Sequence, residues 1–166
     1  MTVELWIVRH GAAAERGPDW PDDAARPLLK KGERQARRLA TIMPNLDRLF
    51  TSPWTRAAQT AAALAGHAPA GAEPLEVLAV GEAVEVPTAL ARALGAPGAG
   101  PRRVACVGHE PQLSEVIGLL IAPEDASRPA DVRLRKGGVA RLVGALRPGG
   151  MRLELLASQA DLKRSA

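Results

Sequence analysis

The sequence predicts an α/β sandwich with a mostly parallel central sheet, and three observations carry that expectation. Short apolar runs recur between helical periods, three of these runs end in turn-forming or polar clusters, and the 166-residue length suits one layered domain. The domain is expected to span 1–166.

The first run, Val3 to Val8, is short, nearly unbroken and rich in β-formers, as a strand covered on both faces requires. Glu15 to Pro27 carries three prolines and three aspartates and reads as an exposed loop bordering the end of that strand. From Lys31 to Met43, Ala36, Leu39, Ala40 and Met43 recur at helical spacing. Arg34, Arg37 and Arg38 form the solvated face, and Pro44 stops the element. Arg48 to Thr51 is a second short strand. Thr55 to Leu64 is alanine-rich and helical, with Pro53 near its start.

Glu76 to Leu78 reads as a brief strand and Val86 to Leu94 as a helix, followed by a glycine- and proline-rich connection from Ala96 to Pro101. Val104 to Val107 is the third buried strand, ending at Gly108-His109-Glu110-Pro111, with a helix from Leu113 to Leu120 behind it. Val139 to Leu146 and Arg152 to Leu156 flank Pro148-Gly149-Gly150 and close the chain as an antiparallel hairpin.

Composition narrows the function. Lys and Arg outnumber Asp and Glu by 22 to 18, a net +4 that favours anionic ligands without a dense cationic block. Aromatic residues are 2% of the chain and Tyr is absent, so the stacking platforms of single-strand nucleic-acid binders are missing and no nucleic-acid partner is expected. The single cysteine, Cys106, sits in an apolar segment and reads as core. No cysteine-histidine cluster has zinc spacing, and neither a metal nor a cofactor is expected. Without an apolar run of about 20 residues or a charged leader, the expectation is a cytoplasmic protein with no membrane partner.

In a parallel α/β sheet, ligands bind beyond the carboxyl ends of strands. After the first strand stand Arg9 and His10, after the second Ser52-Pro53-Trp54-Thr55-Arg56, and after the third Gly108-His109-Glu110. Two arginines and two histidines from distant segments would converge on one hollow, a set suited to a tetrahedral dianion. Imidazole is largely neutral near pH 7 and nucleophilic, and guanidinium grips anionic oxygens in a fork. A non-catalytic module binding phosphate or a phosphoprotein would use the same cations. His67, at a helix end before Ala68-Pro69, is read as a cap. Trp54 either walls the hollow or packs on the core.

Four blocks in order carry a resemblance over nearly the whole chain: Leu5-Trp6-Ile7-Val8-Arg9-His10-Gly11; Arg26-Pro27-Leu28 with Gly32 and Gln35-Ala36; Thr51 to Ala61; and Val107-Gly108-His109-Glu110-Pro111. The chain resembles the histidine phosphatase superfamily, the phosphoglycerate mutase-like fold, and within it the SixA-like phosphohistidine phosphatases. The resemblance implies a three-layer α/β/α sandwich and a metal-independent phosphatase acting on phosphohistidine in a protein or on a small phosphorylated compound. It implies His10 as the nucleophile that is transiently phosphorylated, with Arg9, Arg56 and His109 holding the phosphoryl oxygens. A broad phosphomonoesterase of the same superfamily is the alternative.

Two departures matter. Ala12, Ala13 and Ala14 stand where relatives often carry polar phosphate ligands, leaving backbone donors or Thr55 to substitute. Larger members supply a clear carboxyl general acid, for which Glu82 is the best positional candidate here, ahead of Glu110, Asp19, Asp22 and Asp23.

Overall fold

The computed structural model describes residues 2–96, 102–122 and 131–165. Six strands form one sheet: β1 (Val3–Arg9), β2 (Arg48–Thr51), β3 (Ala72–Pro74), β4 (Arg102–Gly108), β5 (Val139–Gly144) and β6 (Met151–Ala157). Their order is β3-β2-β4-β1-β5-β6. The β3-β2, β2-β4 and β4-β1 pairs are parallel, while β5 pairs antiparallel with both β1 and β6. The anticipated mostly parallel sheet is therefore the one observed, with the closing hairpin on one edge.

Side-chain alternation along the buried strands sorts the core into two layers. Val3, Leu5 and Ile7 of β1, with Val104 and Cys106 of β4, pack on one face against α4 (Val86–Leu94) and α5 (Gln112–Ile121). Trp6 and Val8, with Ala105 and Val107, pack on the other face against α1 (Lys30–Ala40), α2 (Thr55–Ala62) and α6 (Gln159–Arg164). Helix, sheet and helix thus make three layers. Cys106 lies wholly within the core, where burial pushes its thiol up to about 12, so it stays protonated.

The second strand and the helix from Val86 to Leu94 fall where the sequence places them; other elements differ for local reasons. Glu76 to Leu78 is not a strand. The strand lies earlier, at Ala72–Pro74, and Leu75 N–H still donates to Thr51 O before the chain coils into the short helix α3 (Val77–Val80). Leu78 reaches the core from a helical turn as readily as from a strand, which is why its hydrophobicity misleads. Helix α1 stops at Ala40, where Thr41 Oγ1–H donates to Arg38 O, although Met43 is buried beyond it. The alanine-rich helix ends at Ala62 and a 3₁₀ turn, Ala65–His67, carries His67. A further helix, α6, follows β6, its start written in Ser158 and Asp161, which cap each other reciprocally. Residues 97–101, in the connection anticipated from Ala96 to Pro101, lie outside the described residues. Among the described residues no helix is long and apolar enough to cross a membrane.

The segment following β1 is seated on the first turn of α1 by backbone contact. A Cβ on Gly11 would meet Gly32 O at 2.7 Å, and one on Gly32 would collide with Ala12 O. Gly32→Ala is therefore expected to destabilise the fold by about 1–3 kcal/mol, because backbone rather than a flexible side chain must yield. Chemical denaturation checks this, with Gly66→Ala, where the added methyl meets nothing, as the control.

Candidate active site

Parallel register gathers the site. Arg9 pairs with Gly108 across β1 and β4, and Thr51 with Val107 across β2 and β4, so three strands end at one level. His10 N–H then donates to Gly108 O at 3.2 Å and Ser52 N–H to Val107 O at 2.9 Å, extending the ladders one residue past the sheet. His10 and His109 are brought to a ring-centroid separation of 5.2 Å and are both buried. Arg9, His10, Arg56 and His109 line one cavity of about 740 Å³, and Glu82 stands exposed at its rim.

Each imidazole is held by its neighbours. His10 Nδ1 lies 2.7 Å from Gly11 O, which can only accept, so Nδ1 carries the proton and Nε2 keeps its lone pair. That lone pair accepts from Arg56 Nε–H at 3.3 Å. His109 Nε2 is 2.7 Å from Ser52 Oγ, which itself accepts from Trp54 N–H at 3.2 Å. His109 Nδ1 is buried with no partner among the described residues. Trp54 walls the cavity: its ring lies 4.9 Å from that of His109, and the Arg56 guanidinium stacks over it at 4.9 Å.

The loop bordering β1 is more ordered than its composition suggests. Ala13 bridges Leu28, and Leu28 N–H donates to Gln59 Oε1 at 2.7 Å. Asp23 binds three arginines of the cavity. Its Oδ1 accepts from Arg26 Nε at 2.7 Å and Arg16 Nε at 3.1 Å, its Oδ2 from Arg56 Nη2 at 3.1 Å, and its carbonyl from Arg56 Nη1 at 2.7 Å. Sequence reasoning ranked Asp23 low and gave Arg16 no role. Arg26 stood in a resemblance block, and that was the available signal.

The anticipated substitutes for the missing polar residues are differently employed. Thr55 is half-buried and does not line the cavity. It lies about 100° around α2 from Arg56, whereas Thr60 sits one turn beyond Arg56 on the same face. Thr60 Oγ1 accepts from Gly11 N–H at 3.1 Å, and Ala12 N–H donates to Gln35 Oε1 at 2.7 Å. These amides, like that of His10, are already bonded within the protein. Arg9 donates from Nη1 to Leu134 O at 3.0 Å, and its Nε has no partner among the described residues. Glu110 also lines the cavity; burial raises its pKa against the hydrogen bonds from Ser114 and the nearby charge of Arg9.

Burial, then the charges of Arg56 and Arg9, lowers the His10 pKa to about 4, the bond to Gly11 O opposing the shift. Burial, then Arg56 and His10, lowers that of His109 to about 3. Both rings are neutral near pH 7. For Asp23, partial burial pulls upward, but hydrogen bonds from Arg16, Arg26 and Arg56 outweigh it and hold the carboxyl at about 2.

A neutral imidazole with an unprotonated Nε2, set among fixed guanidinium groups, can attack an electrophilic centre whose anionic oxygens displace the Arg56 N–H from that lone pair. Residues 5–80 match the model of the histidine phosphatase superfamily (branch 1). An uncharacterized protein of Picosynechococcus sp. is 35% identical over 117 residues, 68% of this chain and 70% of that one. Among solved structures, the protein histidine phosphatase SixA complexed with tungstate superposes with a TM-score of 0.71 at 24% identity, covering 98% of this chain and 99% of that one. A phosphoserine phosphatase from Entamoeba histolytica, in complex with 3-phosphoglyceric acid, superposes with a TM-score of 0.66 at 17% identity, covering 96% and 99%. The fold and the cavity define an α/β protein of the phosphoglycerate mutase-like type. The chain belongs to the histidine phosphatase superfamily.

The two depressed histidines give a pH signature. Between their folded values, about 4 and 3, and the free imidazole value of 6.5, the unfolded chain binds more protons than the folded one. Their contribution to stability is complete above about pH 6.5 and is lost as pH falls through 4 and then 3. Thermal unfolding recorded from pH 7 to pH 4 should show a falling Tm, and His109→Asn should flatten the slope.

Proposed function

We propose that the protein is a phosphatase that passes a phosphoryl group through His10 to water, taking it from phosphohistidine in a protein or from a small phosphorylated compound. The observation that carries this reading is the fixed tautomer of His10: with Nδ1–H tied to Gly11 O, the Nε2 lone pair is directed into the cavity at the Arg56 guanidinium. Substrate oxygens take over the Arg56 Nε–H, and the lone pair is released to attack phosphorus.

In the first step Nε2 bonds to phosphorus and the bond to the leaving nitrogen or oxygen breaks, its electron pair departing with the leaving group, which takes up a proton. In the second, water adds to phosphorus, the P–Nε2 bond breaks, and His10 recovers its lone pair as inorganic phosphate leaves. Arg9 and Arg56 hold the equatorial oxygens through both steps, positioning them and stabilising their charge. His109 adds a neutral donor. With Ser52 Oγ–H donating to Nε2, its proton resides on Nδ1, which a phosphoryl oxygen would satisfy. SixA with its bound tungstate, a tetrahedral oxyanion like phosphate, and the phosphoserine phosphatase of Entamoeba histolytica support a phosphoryl substrate.

Glu82 is the carboxyl we assign to protonate the leaving atom, from the rim. A leaving imidazole is basic enough to draw its proton from water, so the demand on Glu82 is light for phosphohistidine and heavier for an alkyl phosphate.

His10→Ala should abolish turnover of p-nitrophenyl phosphate and of phosphohistidine while vanadate binding persists. Rapid quenching of the wild type should trap a phosphoenzyme that survives base and decays in acid, as a phosphoramidate does. Turnover by His10→Ala at the wild-type rate would reduce the protein to a different chemistry. Arg56→Ala should cost about 10²–10³ in kcat, since one oxyanion ligand of a preorganised set is lost. Glu82→Gln should slow an alkyl phosphate by about 10² while leaving phosphohistidine within a few-fold, which parallel steady-state assays on the two substrates check.

A further inference from the structure

Outside the cationic floor, the cavity wall from Leu78 to Val84 is apolar except for Glu82. Val80 is 75% exposed and Val84 62%, the two most exposed large aliphatic side chains among the described residues. Single exposed aliphatics are ordinary, but two on the lip of one functional cavity are not scattered. Val84 also lines a second hollow of about 390 Å³ on the outer side of that lip, formed with Val77, Glu85, Thr88, Ala89 and Arg92. The cavity, the valine ridge and the hollow are thus continuous through Val84.

A 740 Å³ cavity has room for a small phosphorylated compound, phosphoryl group on the arginines, without any contact beyond the ridge. Covering both exposed valines and reaching the hollow takes a larger partner. An apolar anchor in a pocket with a polar rim is how proteins recognise one another. The exposed carboxylate of Glu85 flanks the ridge and suits a partner with a basic residue there.

Resting on the phosphatase reading above, we propose that the Val80–Val84 ridge and the hollow on α4 form a docking surface for a phosphorylated protein. The partner lays an apolar side chain between Val84 and Ala89 and a basic one against Glu85, while its phosphoresidue enters the cavity. The surface selects protein-borne phosphoryl groups over free phosphorylated compounds.

Two substitutions reach the hollow without touching the cavity: Ala89→Gln, which plugs it, and Thr88→Arg, which sets a bulky cation at its exposed edge. The probes are histone phosphorylated on histidine with potassium phosphoramidate, free phosphohistidine and p-nitrophenyl phosphate. The wild type should prefer phosphohistone to free phosphohistidine. Each variant should lose about tenfold or more in kcat/KM on phosphohistone, chiefly through KM, and stay within twofold of wild type on p-nitrophenyl phosphate. Equal wild-type kcat/KM on phosphohistone and free phosphohistidine, variants unchanged on phosphohistone, or equal losses on every substrate would each overturn the docking surface. His10→Ala assayed in parallel keeps the readings apart: turnover there sinks the phospho-His10 mechanism, whereas the Ala89 and Thr88 results bear on docking alone.

Discussion

The parallel pairing of β1 with β4, in the register that sets Arg9 against Gly108, is the constraint on which the site depends. It fixes the two residues that follow, His10 and His109, side by side. A slip of one residue would turn every β1 side chain to the opposite face, sending Leu5 and Ile7 into the layer now filled by Trp6 and Val8. Two fully packed core layers make that slip costly, so the same burial that stabilises the sheet also sets the distance between the two rings. The site's geometry is inherited from the core.

Around those rings the protein keeps charge and desolvation in tension. Burial strips the imidazoles of protons, and the arginines reinforce this, so a neutral pair sits within a cationic shell. The arginines would repel one another without a counter-charge, and Asp23 supplies one from the loop after β1. That loop is fastened in turn by backbone and glutamine bonds to α1 and α2. The arginines around the two rings are therefore held in place by bonds within the protein itself.

The layered fold was legible because buried strands and amphipathic helices carry different periods, and β2 and α4 match the sequence reading residue for residue. Convergence of Arg9, His10, Arg56 and His109 was legible because strand-end residues of a parallel sheet share an edge. What sequence could not supply was pairing decided by tertiary contact. Leu75 to Val80 is apolar enough for either a strand or a helix, and only the pairing of Ala72–Pro74 with β2 decides. Thr55 is the hydroxyl that the sequence offers beside Arg56, and only the approach of Gly11 to α2 gives that place to Thr60 instead. Asp23 looked like one of three solvated loop acids, since nothing local reveals that arginines from two segments close on it. Arg34 and Arg37 of α1 are exposed as its helical pattern implies, whereas Arg38 reaches across to Gln159 on α6.

The bond from Arg56 Nε–H to His10 Nε2 has a chemical corollary. An imidazole whose sole basic electron pair is already engaged by a guanidinium is a poor chelator of stray transition ions and a reluctant target for passing acylating agents. Only an incoming group rich enough in anionic oxygen to outbid the imidazole for that guanidinium proton uncovers the ring. In the resting protein that nitrogen is covered by a group of its own chain.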